Sequence, residues 1–254
     1  HLFIVSGINS KMYVWRRIPD ESGAKPDIIY DFMDLPLIFE PSDVAVYDDM
    51  LVVTGTSSLI IVWNKLPLNG ELPDLIIDMA KYLPPNPETG EPDRVCIQGV
   101  TIDEKYVYVM MLGQVFVWEK PILKERPPDY VILIGDEASG NIFSDGEHLI
   151  ITTRIIPRKI VIYNLTDIFS IAEPYMLKEE KPPKEPQEKK PPEEGKPPPL
   201  ELPNIPCVIL TKIKEDVPFG APQDIYSDGK HLFTVDLERN LILIWNNIPN
   251  ENDT

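Results

Sequence analysis

The apolar residues of this chain fall in short runs of four to six, set apart by turns. "LFIV", "LIIVW", "VYVMM", "YVILI" and "LILIW" are apolar on successive positions. A strand with one wet face alternates apolar and polar residues. A strand apolar throughout is covered on both faces. The runs also recur. "KMYVWRRIP", "LIIVWNKLP", "QVFVWEKPI" and "LILIWNNIP" use all four tryptophans, Trp15, Trp63, Trp118 and Trp245, and "KIVIYNLTD" puts Tyr163 in the same setting. Successive aromatics are 48, 55, 45 and 82 residues apart, the last step being one period plus an insertion.

Other landmarks keep step. About ten residues past the aromatic stand "PDIIYD", "PDLIID", "PDYVIL" and, after the insertion, "IPCVIL". Before it comes a tight acidic turn: "VYDDMLVV", "TIDEKYVYV", "FSDGEHLII", "YSDGKHLFT". Asp-Gly is a strong hairpin signal. Each unit therefore predicts four short strands, which in the second copy are "DVAVY", "MLVVTG", "LIIVW" and "DLIID". Four-stranded antiparallel sheets of about 45 residues, packed face to face around an axis, cover both faces of each strand and explain the period. The expected fold is an all-β propeller, one domain over residues 1–254. A β-sandwich would not explain identical phrases at a fixed spacing. Five blades are visible. The first opens in its second strand and the last stops after its third. The expectation is a five- or six-bladed ring, in which this chain is a piece of a longer propeller or receives a strand from elsewhere.

Residues 167–201 interrupt the fourth copy between its third and fourth strands. Their core, "KEEKPPKEPQEKKPPEEGKPPP", cannot bury enough apolar surface to collapse. It favours an extended polyproline conformation. It reads as a solvated spacer or, more sharply, as a docking arm for a partner.

The run "PSDVAVYDDMLVVTGTSSLIIVWN" from Pro41 resembles the NHL-type repeat, as does "PQDIYSDGKHLFTVDLERNLILIWN" from Pro222. The polar turn "DLERN" and the "VWNxLP" ending are similar to those of NHL-like repeat proteins. The resemblance covers nearly the whole chain except the insertion. It implies the propeller fold and leaves function open, because such propellers serve many roles.

Charge narrows the partners. The net charge is -17, and the stretch Lys178–Glu201, with six Lys and seven Glu, contributes only -1 of it. The acidity belongs to the folded body, which repels phosphate backbones and anionic lipid. Nucleic acid is not expected as a partner. No apolar run is long enough to span a membrane. Two cysteines, Cys96 and Cys207, form no disulfide framework or zinc motif and read as buried apolar side chains. Abundant Ile, Pro and Glu with four Gln resembles thermophile usage. Sequons at Asn164 and Asn252 lean toward an extracytoplasmic or cell-surface location.

Candidate chemistry is sparse. His148 and His231 share one repeat position, and His1 fits it too. Neighbouring sheets stand about 10 Å apart, so these side chains cannot share one ion. They read as repeat residues. The acidic turns at Asp48-Asp49, Asp103-Glu104, Asp145 and Asp228 recur once per blade and do not converge as calcium requires. Neither a metal nor a cofactor is expected. Aligning on the turn Asp predicts a channel-mouth column of Asp43, Gln98, Gly140 and Gln223, with Arg94, Asn141 and Asp224 beside it. This polar lining is the candidate ligand-binding set. It lacks the His or paired carboxylates that lyases and lactonases on related propellers need. The leading expectation is a non-catalytic module for protein partners, within a larger assembly or self-assembled. The alternative is an NHL-type lyase or lactonase with a metal at the channel mouth. A small-ligand or glycan binder is a third reading.

Overall fold

Each apolar run becomes one strand of a small antiparallel sheet in the computed structural model, which describes residues 1–21, 23–35, 39–83, 96–111, 113–135, 140–153, 156, 158–175, 207–214 and 217–249. Sheet one contains β1 (Leu2–Ser6), β2 (Lys11–Trp15) and β3 (Ile28–Asp31). Sheet two contains β4 (Pro41–Tyr47), β5 (Met50–Gly55), β6 (Leu59–Trp63) and β7 (Leu75–Asp78). Sheet three is built from β8 (Gly99–Ile102), β9 (Tyr106–Met111), β10 (Gln114–Glu119) and β11 (Tyr130–Leu133). Sheet four begins with β12 (Ile142–Ser144), β13 (His148–Thr152) and β14 (Ile160–Asn164). A short helix α1 (Leu165–Ser170) and a two-residue strand β15 (Glu173–Pro174) follow, before β16 (Cys207–Leu210) completes sheet four. A hairpin of β17 (Lys212–Lys214) and β18 (Val217–Pro218) leads to sheet five, with β19 (Pro222–Ser227), β20 (Leu232–Asp236) and β21 (Leu241–Trp245). The five sheets are arranged as a five-bladed β-propeller, with β1, β4, β8, β12 and β19 innermost in their sheets.

Four apolar clusters fill the spaces between consecutive sheets. Each strand of a middle sheet sends alternate residues forward and backward. In β6, Ile60 and Val62 face sheet three while Ile61 and Trp63 face sheet one's side, and all four are buried. Each Val or Ile so buried contributes about 1.5–3 kcal/mol of transfer free energy. This two-sided burial is why the strands carry no polar alternate.

The repeated tryptophan has a defined task. Nε1 of Trp15, Trp63 and Trp118 donates to the carbonyls of Ala24, Glu71 and Arg126, at 3.1, 3.0 and 3.2 Å. The aspartate of the "PD" phrase then accepts from the residue after the tryptophan: Asp27 from Arg16 N, Asp74 from Asn64 N and Asp129 from Glu119 N, at 2.8, 2.7 and 2.7 Å. Tryptophan and aspartate together pin the loop between third and fourth strands. Tyr163 has no such donor. In its sheet the chain leaves the pattern, because Asn164 caps α1 by accepting from Thr166 N at 2.9 Å.

The first residues of the predicted insertion are thus a built clasp and not a spacer. Ile168 of α1 is buried, and Phe169 packs on Tyr106 and Tyr130 of sheet three. β15 pairs with β11 as a fifth strand of sheet three. Tyr175 N then donates to Asp129 O at 3.0 Å, and its hydroxyl reaches Tyr82 O. Residues 176–206, which hold the Pro-rich core, lie outside the described residues. Burial of the cysteines is corrected as well: Cys96 is exposed and Cys207 partly exposed.

Candidate functional site

The innermost strands β4, β8, β12 and β19 surround a cavity of about 260 Å³, lined among others by Asp43, Asn141, Asp224, Val100 and Tyr226. Strand register fixes which residues are equivalent. Asp43 pairs with Thr54, Gly99 with Met110, Ile142 with Ile151 and Asp224 with Val235. The equivalent mouth positions are therefore Asp43, Gly99, Asn141 and Asp224. The expected column Asp43, Gln98, Gly140 and Gln223 is displaced by one residue in three of its four sheets. Gln98, Gly140 and Gln223 do not line the cavity. Gly140 lies where a Cβ would meet Thr152 O at 2.1 Å, and Gln223 is the extra residue of a bulge in β19. Gln98 Oε1 is buried with no partner among the described residues. Arg94 lies outside the described residues.

The mouth residues are hydrogen-bonded to one another and to backbone. Asp43 accepts from Val44 N in its own strand and from Val100 N of sheet three, both at 2.9 Å. Asn141 Oδ1 accepts from Ile142 N at 2.7 Å, and Nδ2 donates to Asp224 Oδ1 at 2.8 Å. Asp224 Oδ1 also accepts from Ile225 N at 2.8 Å. A Cβ on Gly99 would stand 2.4 Å from Asn141 Oδ1, so glycine leaves room for the Asn141 side chain. These side chains tie consecutive sheets across the mouth.

A second polar group joins sheets three and four. Asp103, 5% exposed, accepts from Lys105 N and Tyr106 N at 2.8 Å each through one oxygen. Its other oxygen accepts from the Tyr108 hydroxyl at 2.7 Å and Ser144 Oγ at 2.8 Å. Burial and the adjacent Asp103 carboxylate hold the Tyr108 hydroxyl well above the usual tyrosine range. Lys120 Nζ donates to Asp103 O at 2.5 Å and lies 4.2 Å over the Tyr47 ring, and its pKa is lowered by burial.

The other acidic turns work the same way. Asp145 Oδ1 accepts from Glu147 N and His148 N, and Asp228 Oδ1 from Lys230 N and His231 N. The paired histidine returns to the same carboxylate: His148 Nδ1 lies 3.1 Å from Asp145 Oδ2, and His231 Nδ1 2.9 Å from Asp228 Oδ2. The Asp145 carboxyl is raised by burial but more strongly lowered by the His148 side chain and the turn amides, and lies below its ordinary value. The same contact holds His148 above its ordinary value, against the opposing effect of burial. Asp228 is likewise lowered, first by the His231 backbone amide. His1 Nδ1 instead lies 2.9 Å from Arg16 O. Among the described residues, no three His, Cys, Asp or Glu side chains are grouped so as to hold a metal ion, and no helix is long and apolar enough to cross a membrane.

No protein-family model matches the chain, and no curated protein sequence matches it. Its fold is similar to that of Saccharomyces cerevisiae Sqt1, with a TM-score of 0.52 at 12% identity, over 98% of this chain and 55% of Sqt1. The chain thus spans about half the length of that protein. The computationally designed protein Ika4 superposes with a TM-score of 0.44 at 10% identity, over 84% of this chain and 95% of Ika4. At 12% identity the likeness to Sqt1 concerns the fold alone. The chain is a β-propeller, an architecture that serves many functions.

Proposed function

We propose that this chain is an NHL-like propeller acting as a non-catalytic binding module for protein partners. The observation that carries the reading is the exposed apolar face of sheet five, where Tyr226, Val235, Ile242 and Ile244 meet solvent together. Contiguous apolar surface of this kind marks interaction sites on soluble proteins. The mouth residues Asp43, Asn141 and Asp224 support it indirectly, since hydrogen bonds within the fold already engage them. The test is native mass spectrometry of the protein purified untagged from its source, beside an Ile242→Lys/Ile244→Lys variant. A partner chain held by the parent and lost from the variant is the expected result. A monomer with stoichiometric calcium or zinc, and turnover abolished by Asp43→Ala, would instead favour an enzyme with a metal site at the channel mouth.

A further inference from the structure

The sequon Asn164-Leu165-Thr166 lies wholly within the described residues, whereas Asn252 does not. Such a tripeptide takes an N-linked glycan where the chain is exposed. Strand order gives Asn164 a defined place. Thr152 stands at the mouth end of β13, where Asn141 N donates to its Oγ1 at 2.7 Å, and its partner in β14 is Ile160. β14 runs from there to Asn164, which pairs with His148 at the end of sheet four remote from the mouth. Asn164 and Thr166 are both exposed, while Leu165 between them is buried. Leu165 N donates to Glu147 O at 2.9 Å, and its side chain joins the apolar cluster between sheets three and four. The tripeptide is thus anchored by its middle residue and presents its two polar side chains to solvent.

The amide nitrogen sets Asn164 apart. Nδ2 of Asn9 donates to the Tyr13 hydroxyl at 2.7 Å, that of Asn64 to Ile122 O at 3.1 Å, that of Asn69 to Glu71 Oε1 at 3.0 Å and that of Asn141 to Asp224 Oδ1 at 2.8 Å. Asn164 Nδ2 donates to nothing among the described residues, and only Oδ1 is engaged, by Thr166 N. Capping accounts for that oxygen and would be served as well by Asp or Ser. It does not account for Thr166, a β-branched residue of low helix propensity. The Thr166 hydroxyl likewise has no partner among the described residues. A sequon needs both the free amide nitrogen and the hydroxyl residue two positions on.

We infer that Asn164 is a glycosylation site and carries an N-linked glycan in the protein from its source. The co-reactant is a lipid-linked oligosaccharide, and a transferase of the source makes the transfer. Asn164 Nδ2 forms a bond to the anomeric carbon of the first sugar. The bond from that carbon to the lipid phosphate oxygen breaks, the lipid phosphate leaves with the electron pair, and one amide proton passes to a base of the transferase. Nothing is oxidised or reduced. Oδ1 remains an amide oxygen, so its bond to Thr166 N survives the modification. The glycan stands at the end of sheet four away from the mouth and leaves Asp43, Asn141 and Asp224 uncovered. This goes beyond the binding reading and does not rest on it.

The test is peptide mapping by mass spectrometry of the untagged protein from its source, with electron-transfer fragmentation to place any added mass. The expected result is a peptide spanning Asn164 that is heavier than its sequence by a glycan, with the added mass on Asn164 itself. Asn164→Asp and Thr166→Ala, expressed in the source, should each lose all of that mass, and Thr166→Ser should keep it. Asn164→Asp retains the capping oxygen, so the loss is read on a chain that still folds. An unmodified Asn164 peptide would overturn the inference. So would added mass that fragmentation sites on Thr166, or that persists in Thr166→Ala.

Discussion

Replacing Asp103 by alanine should be among the most damaging single changes away from the apolar core. Its carboxylate is the acceptor for four donors, two turn amides and the hydroxyls of Tyr108 and Ser144. Water can reach the turn and serve the amides of Lys105 and Tyr106. It cannot easily reach Tyr108, which is fully buried, or Ser144, which is nearly so. Two stranded hydroxyls cost about 1–3 kcal/mol each. The alanine chain no longer has to desolvate a carboxylate, which offsets part of that loss. A net cost of about 3 kcal/mol follows. Asp103→Asn keeps one oxygen for the amides and offers its own NH2 to the hydroxyl oxygens, so it should cost about 1 kcal/mol. Urea unfolding at constant m measures both. The double variant Asp103→Ala/Ser144→Ala should be milder than the sum of its singles by about 0.5 kcal/mol or more. If Asp103→Ala unfolds within about 0.5 kcal/mol of the parent, the network does not join sheets three and four as argued.

Trp63→Phe keeps an aromatic ring but loses the bond to Glu71 O, and should cost about 2 kcal/mol in urea unfolding, against less than half that for Trp245→Phe. Gly99→Ala drives a methyl against Asn141 and should cost about 1–3 kcal/mol, whereas Gly146→Ala meets no neighbour and is limited by its positive φ alone. Ile162→Ala should lose about 2–5 kcal/mol, while the equivalent Ile244→Ala should lose about 1 kcal/mol; equal losses would mean sheet five is covered. For the turn pair, His148 is raised above 6.5, so its contribution is complete below pH 6.5 and fades as pH rises through the folded value. Asp145 is lowered below 3.8, so its contribution is complete above pH 3.8 and fades as pH falls through the folded value. The Tm difference between parent and His148→Ala should therefore peak between about pH 4 and 6.5 and shrink on either side; a difference that grows above pH 8 would contradict the pairing.

Much of the fold is legible along the chain. "MLVVTG" and "LIIVW" are β5 and β6 to the residue, and β4 starts two positions early because a bulge extends its pairing to Pro41. The mouth column slipped because its landmark was the turn aspartate. Sheet two turns on Asp48-Asp49, with Asp48 at φ 52 joining Tyr47 to Met50. In sheet three Asp103 itself bonds back to Tyr106, so the two aspartates are one step out of register. The helix α1 had a readable cap in "NLTD", but β15 had none, since two residues gain their strand character only from the edge of β11. The incomplete end blades are legible in sequence, but the exposure of sheet five's forward face is not. "LILIW" reads like "LIIVW", and continuous apolarity records what a strand is shaped to touch without recording whether the neighbour is there.

Among the described residues, strong packing does not run from sheet five back to sheet one, and this shapes the thermodynamic character of the fold. A closed propeller is a hoop, in which loosening any sheet disturbs two interfaces. The described sheets pack strongly as a row of five, each held by its own strands and by its neighbours, so their stability sums along a line. Among the described residues, sheet three sits in the middle, packed strongly on two neighbours and carrying a fifth strand, while sheets one and five each pack strongly on one neighbour. Melting should therefore start at the two ends and travel inward, with the clasp of α1 and β15 among the last elements to let go.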